Sequence, residues 1–565
     1  MNERPEPAHD AAATERFRAT ATRILDALFE ARPGWASELG DHRFDDRMAD
    51  LSAGGADEYG RMLSDALVAL DALDADRLGT ADRVDLEILR TRLAGEQWTV
   101  TEQAPHTWDP LAHLPGDAIY ALVARDPADA GERLRALAGR LRGVPETLAV
   151  ARETLGAMPR VHVETAIAQA RGIISMLSGD VERLLSREPA VRAEVDPARE
   201  AAATAIAEHV AWLEDRLPES DRDPRLGAPA YAAKLWYTLD TEMTPDRLLT
   251  HAESDLMAVE ERMSEAAARV AGRSVEPDEV RAVLDGLAAE APVDDHTIVP
   301  MCERELARIF AWVREIGLVT VPDVAVDVVT MPPSRRGVAV AYCDPPGMLE
   351  PDGPDGPPPT FFAVSPTPDT WSAERVASFY REYNGHALRG VTIHEAVPGH
   401  AVQLAHARRY TGHTAIRAAL WSGAFVEGWA CYAEELMAEV GLSAGDTERD
   451  RAIMELVRLK MRLRSIINAI LDVRVHAHGM TEAEAMALMT RRGHQEDGEA
   501  VGKWRRAQLT SAQLSTYYVG HREVREIVKR LEADQETEEN CHDLTLSHGS
   551  PPPRHLHTLL GLDRT

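Results

Sequence analysis

The chain has 565 residues, 44% of them hydrophobic, and a formal net charge of −31 at pH 7. That length and apolar content suit a soluble enzyme with a large buried core and two or more domains. An excess of acids (93 Asp and Glu against 62 Lys and Arg) without clustered cations excludes nucleic acid and anionic membranes as partners, since both demand basic patches. The opening Met1–Pro7 is polar with no signal-like run after it, and nothing approaches the roughly 18 apolar residues of a spanning helix, so a cytoplasmic protein is expected. Cys302, Cys343, Cys431 and Cys541 lie far apart with no C-x-x-C spacing, which suits free thiols and makes none of them an expected metal ligand.

The first 310 residues read as mostly helical. Phe17, Ala21, Ile24, Leu25, Leu28 and Phe29 recur at the spacing of one apolar helix face, and similar patterns continue through residues 60 to 280. Breaks are predicted at Gly143-Val144-Pro145, at Pro218-Glu219-Ser220 and from Asp223 to Pro229. The second group suggests a boundary near residue 220, between an N-terminal helical lobe (1–220) and a catalytic lobe (221–565); a loop within one continuous domain is the alternative.

After Gly317 the pattern changes. Val319–Val321, Val324–Val329, Gly337–Tyr342 and Thr360–Val364 are β-branched and aromatic runs between Pro/Gly turns, predicting a small sheet at about 319–365. Arg335 and Arg336 precede one of these strands and are candidates to bind a peptide's terminal carboxylate, which a guanidinium pairs bidentately; a structural Arg–Asp pair is the plainer alternative. The Pro/Gly/Asp-rich stretch from Asp344 to Pro359 reads as a surface loop.

The helical segments at about 372–440 carry the chemistry. Thr392-Ile393-His394-Glu395-Ala396-Val397-Pro398-Gly399-His400 places an acid beside one histidine and returns a second six residues after the first. Two histidines one turn apart around a glutamate are a zinc-hydrolase pattern, but six residues rotate a side chain by about 240° on an unbroken helix, so the imidazoles would diverge. Pro398 and Gly399 are expected to wind or bulge the helix and re-aim His400. Further on, Phe425–Glu435 is a helical run interrupted by Glu427, the candidate third ligand, with Glu434 two turns along the same face to steady a ligating histidine or, alternatively, to stand in solvent. From Ile453 to Val475 a long helix is predicted to end at His478-Gly479, with Thr481-x-x-Glu484 as the next capping box. Asp472 and His476 share one face of it, where the acid can orient the imidazole, a surface ion pair being the alternative. Tyr517 and Tyr518 follow; a phenol beside a metal can donate to a developing oxyanion.

These motifs resemble those of the DUF885 family, which is associated with zinc metallopeptidases of the gluzincin type. The resemblance covers most of the chain. It rests on His394 through Gln403 (H-E-x-x-P-G-H-x-x-Q), Glu427 through Glu434 (E-G-W-A-x-Y-x-E), the Asp472/His476 pair, Tyr517–Gly520, and Pro33-Gly34-Trp35 with Leu39-Gly40-Asp41-His42. The family often has a second histidine after P-G-H; here Ala401 stands there, so position 401 is not a ligand. The resemblance implies a mainly α (α+β) gluzincin-like fold, with helical lobes around a central cleft and a small β-sheet beside the metal-binding helix that offers an edge strand to extended substrate.

One zinc ion is then expected on His394, His400 and Glu427, with Glu395 as general base and Tyr517 or His476 stabilising the oxyanion. Glu434, Asp472 and Gln403 are expected behind the ligands, and Arg335, Arg336 and Tyr518 on the substrate side. The expected function is hydrolysis of amide bonds, in a carboxypeptidase-like exopeptidase acting on short peptides. A zinc amidohydrolase of non-peptide amides, and a non-catalytic helical binding protein with a structural or lost metal site, are the alternatives. The retained Glu395 speaks against the last, since a structural ion needs only its ligands.

Overall fold

The computed structural model describes residues 10–124, 130–332, 336, 339–353, 356–442, 445, 447–533 and 537–562. They form two compact units, one of Met1–Pro224 with Pro346–Pro351 and Gly412–Ala419, the other of Arg225–Pro345, Asp352–Thr411 and Leu420–Thr565.

The first unit is helical. Helix α1 (Ala11–Ala31) starts where the Asp10 carboxylate accepts from the N–H groups of Ala12 and Ala13, and it buries the predicted stripe Phe17, Ala21, Ile24, Leu25, Leu28 and Phe29. Helix α2 (Ala130–Thr154) runs straight through Pro145, where a break was expected. Leu134, Leu137, Leu141, Val144 and Leu148 keep one buried stripe across the proline, packed with α3 (Arg192–Arg216), and that burial outweighs the lost hydrogen bond. Arg140 of α2 is fully buried and donates to the carbonyls of Arg47 and Ala118 and to Ser37 Oγ, so a cation fastens irregular backbone onto the helix. The predicted break at Pro218 is a 3-10 turn, Leu217–Glu219, after which no helix begins before Ala228.

The second unit is mainly helical with a small sheet. Val326–Thr330 (β1), Ala341–Asp344 (β2) and Thr360–Val364 (β3) align in the order β1-β3-β2, parallel between β1 and β3 and antiparallel between β2 and β3. Val319–Val321, predicted as a strand, is not one. Side chains claim its backbone instead: Thr320 N–H donates to Asp543, the Thr320 carbonyl accepts from His406 Nε2, and the Leu318 carbonyl from His542 Nδ1. Gly337 and Val338 lie outside the described residues.

Pro245–Ala271 (α4) packs along the later Glu448–His478 helix in a core that includes Leu256, Met263, Leu459, Leu463 and Ile466. Between them in sequence come α5 (Gly385–Glu395), α6 (His400–Arg409) and α7 (Gly423–Glu439), so the long helix is α8. Its end is as predicted: Gly479 takes a positive φ of 69°, and Thr481 and Glu484 form a reciprocal capping box. Two further helices complete the surroundings of the site, α9 (Asp497–Leu509) and α10 (Thr516–Glu532).

Candidate metal centre

The two histidines belong to separate helices. Asn384 caps the start of α5, which ends at Glu395; Ala396 leaves helical geometry with φ −120° and ψ −89°, and α6 starts at His400. The segment is therefore a break rather than the wound or bulged helix expected. Gly399 N–H donates to the Ile393 carbonyl at 3.0 Å, and Trp429 Nε1–H of α7 to the Pro398 carbonyl at 2.8 Å. A Cβ at Gly399 would lie 2.1 Å from the His394 carbonyl oxygen, so only glycine lets the chain double back this closely. The result brings the His394 and His400 rings to 4.7 Å between centroids, nearly perpendicular at 83°.

Helix α7 faces them with Glu427, whose Oε2 is 3.4 Å from His394 Nε2 and 3.6 Å from His400 Nε2. That oxygen is buried without a hydrogen-bond partner, as is His400 Nδ1. Tetrahedral zinc with bonds of about 2.0–2.2 Å separates its ligand atoms by roughly 3.3–3.6 Å, so the spacing and the donor types fit this ion.

Glu434, two turns along α7, accepts from His394 Nδ1 at 2.7 Å and is buried, so the solvent-facing alternative is wrong. Burial alone would press the His394 ring toward neutrality, but Cys431, Glu427 and Glu434 together lift its pKa well above the usual value. Burial likewise raises Glu427, and its two histidines more than offset this, holding it far below the carboxylate range. Cys431 also comes within ligand distance of His394 and Glu434. A cation is not expected between the latter two, because at 2.7 Å they already share a proton. Cys431 escaped the sequence reading, although positions 427, 431 and 434 lie on one helix face.

Glu395, the residue after His394, is held by the sheet. Its Oε2 accepts from the backbone N–H of Cys343 on β2 at 2.9 Å. Val340, whose carbonyl accepts from Ser365 N–H, marks the alternation: even-numbered residues of β2 turn their backbone toward β3, and odd-numbered ones turn it outward. The outer edge of this strand therefore meets Glu395.

The remaining expected residues divide. Tyr517 comes within electrostatic reach of Glu427, and its hydroxyl accepts from Arg506 Nη2 at 3.1 Å. Helix α10 brings it there through a close crossing with α7, where a Cβ on Gly428 would lie 2.4 Å from the Gly520 carbonyl carbon. Gln403 donates to Ser550 Oγ at 2.7 Å; the Ser550 carbonyl accepts from Ser422 N–H, at the cap of α7. Asp472 and His476 are buried, so the surface ion pair is wrong as well. The Asp472 carboxylate accepts from the N–H groups of Ala512 and Ser515 and from Ser515 Oγ, which fixes the turn leading into α10. His476 Nε2 is committed to the carbonyls of Ala507 and Thr510 and its ring stacks on Tyr231, an arrangement that leaves no Nε2 proton for an oxyanion. Tyr518 is fully buried and donates to Asp255, away from the cluster. Arg336 Nε donates to the Met331 carbonyl, and Arg335 lies outside the described residues.

A cluster absent from the sequence reading lies behind the ligands. Glu435 meets His521 Nε2 at 2.6 Å, and a narrow cavity there is lined by Cys431, Glu434, Arg458, Arg462 and Ser465. Burial pushes His521 down to about 4, so its ring is the neutral donor to an ionised Glu435.

Comparison with known proteins places the chain. The model of a family described as "Bacterial protein of unknown function (DUF885)" matches residues 33–560. The chain belongs to this family. A solved structure from Shewanella oneidensis, provisionally described as a lipoprotein of unknown function, is similar over 97% of this chain and 100% of its own, with 27% identity and a TM-score of 0.79. A second, from Colwellia psychrerythraea and also provisionally described as a lipoprotein, shares the fold at a TM-score of 0.76 and 16% identity, covering 98% of this DUF885 chain and all of its own. No curated protein matches. No helix among the described residues is long and apolar enough to cross a membrane.

Proposed function

We propose that this DUF885 protein is a zinc-dependent hydrolase of amide bonds, an exopeptidase of gluzincin type that acts on short peptides. The observation that carries this reading is the buried, partnerless Glu427 Oε2, at metal-ligand spacing from His394 and His400. A second acid, Glu395, directly follows the first histidine.

His394, His400 and Glu427 would hold zinc, which would supply a Lewis acid to polarise a carbonyl and acidify water. Glu395 takes the proton of the attacking water and returns it to the leaving nitrogen. Its anchored Oε2 leaves Oε1 for that exchange. The outward edge of β2 holds Glu395 through the Cys343 N–H, which fixes the proposed base beside the sheet. Tyr517, held by Arg506, is the donor we assign to the oxyanion. We propose the cytoplasm as the compartment, supported by the free cysteines Cys302, Cys343, Cys431 and Cys541.

The test is a panel of dipeptides, N-blocked peptides and amino-acid amides, run with zinc-loaded wild type and Glu395→Gln. The variant should keep its metal and lose about 100- to 10,000-fold in kcat. Wild-type turnover by a metal-loaded Glu395→Gln would overturn the mechanism.

A further inference from the structure

Helix α9 lines up Glu499, Lys503 and Arg506 at helical i, i+4, i+7 spacing, and α8 contributes Arg464 beside them. The charges do not balance. Arg464 is paired with Glu499 and donates to the Tyr383 hydroxyl at 2.9 Å. Nearby, Lys460 is paired with Glu382 at 3.0 Å. Lys503, 4% exposed, reaches only the already engaged Glu499, at 3.9 Å. Arg506 has no carboxylate within salt-bridge distance among the described residues; its Nη2 donates to Gln513 Oε1 and to Tyr517. The buried Lys503 and the half-buried Arg506 thus stand without a carboxylate of their own among the described residues, a pattern that an arriving anion would complete. Burial lowers the Lys503 pKa well below normal, helped by the neighbouring Arg464 and Arg506.

The position of this patch gives it a use. Tyr517 bonds Arg506 and lies within electrostatic reach of Glu427, and Arg506 itself feels Glu427. Arg506 and its bonded partner Tyr517 thus both lie within electrostatic range of the candidate metal centre.

We propose that Arg506 and Lys503 form a carboxylate subsite that holds the free C-terminus of a peptide, so that the last amide bond is the one presented to Glu395. The planar fork of Arg506 suits a carboxylate bidentately, and Lys503 adds a point charge. This subsite takes over the role that the sequence suggested for Arg335 and Arg336. It rests on the hydrolase reading for its catalytic meaning but predicts binding independently of turnover.

The experiment compares N-acetyl-dialanine with its C-terminal amide on zinc-loaded protein. Turnover is followed with wild type and Arg506→Gln, and affinity by calorimetry on Glu395→Gln with and without Arg506→Gln. The free acid should be preferred, and the acid-to-amide ratio should fall about 10- to 100-fold in the Arg506→Gln background, in kcat/KM and in affinity alike. Arg506→Lys should restore part of it. Metal content and melting temperature of the variants control for misfolding. Equal treatment of acid and amide by protein with intact Arg506, or an unchanged ratio on its loss, overturns the subsite. Preferential binding of the acid without hydrolysis of either compound leaves the subsite standing and overturns the hydrolase reading instead.

Discussion

Glu434 decides which nitrogen of His394 meets the cluster. A carboxylate can only accept, so at 2.7 Å it fixes the proton on Nδ1 and turns the lone pair of Nε2 toward His400 and Glu427. Glu434→Gln should therefore weaken zinc binding about 10- to 100-fold without unfolding the protein, measured by competition with a chromophoric chelator. The proton balance gives a second test. His394 has its pKa raised well above 6.5 by its acidic neighbours, so at pH 7 the metal-free ring carries a second proton that a ligand cannot keep. Zinc binding should release protons, and affinity should rise with pH; calorimetry in buffers of different ionisation enthalpy reads both. Proton-neutral binding at pH 7 would contradict the raised pKa of His394. The cluster of His394, His400 and Glu427 was legible in sequence, because imidazoles and carboxylates in such motifs have few other uses. Arg506 was not, since its meaning lies in the carboxylate it lacks, and only the packing of α9 against its neighbours reveals that.

At the scale of elements, two glycine contacts set the geometry of the site. Gly399 allows α5 to stop and α6 to start with the two histidines facing each other. Gly399→Ala should cost metal affinity more than it costs melting temperature, because the clash falls on the carbonyls of Ile393 and His394 in a four-residue connection. Gly520→Ala should do the reverse: its Cβ would lie 1.9 Å from the Ala424 carbonyl oxygen, forcing α7 and α10 apart, with at least about 2 kcal/mol lost in urea unfolding. The break at Pro398 was legible only in part. A Pro-Gly pair announces an interruption, but whether the chain bulges or breaks depends on hydrogen bonds from Trp429 and to Ile393 that no local pattern encodes. The same limit explains the misread Pro145 and Val319–Val321, where a buried stripe and side chains from distant helices override local signals.

For the whole molecule, buried histidines govern the response to acid. Burial pushes His209, His494 and His521 each to about 4. Below their ordinary pKa of 6.5 the unfolded chain takes up protons that the folded chain refuses, so stability falls as pH drops from about 6.5 toward 4. His42 acts oppositely: Asp45 and Glu350 raise it to about 9, and its contribution is full below 6.5 and lost as pH rises toward 9. The melting temperature should thus be lower at pH 5 than at pH 7. His209→Leu should flatten the acid side, since both ring nitrogens of His209 are buried without partners. A melting temperature independent of pH over that range would contradict this account. The broad architecture was legible, mainly helical with a small sheet before the His394–His400 segment, because apolar periodicity and β-branched runs are properties of each element by itself.

The central claim is that His394, His400 and Glu427 hold one metal ion. Its most direct measurement is the zinc content of wild type and Glu427→Gln after zinc loading and exhaustive dialysis, by inductively coupled plasma mass spectrometry. The prediction is one zinc per chain in wild type and little or none in the variant, both remaining folded. Wild type without metal under zinc-replete conditions, or Glu427→Gln retaining a full equivalent, would contradict it.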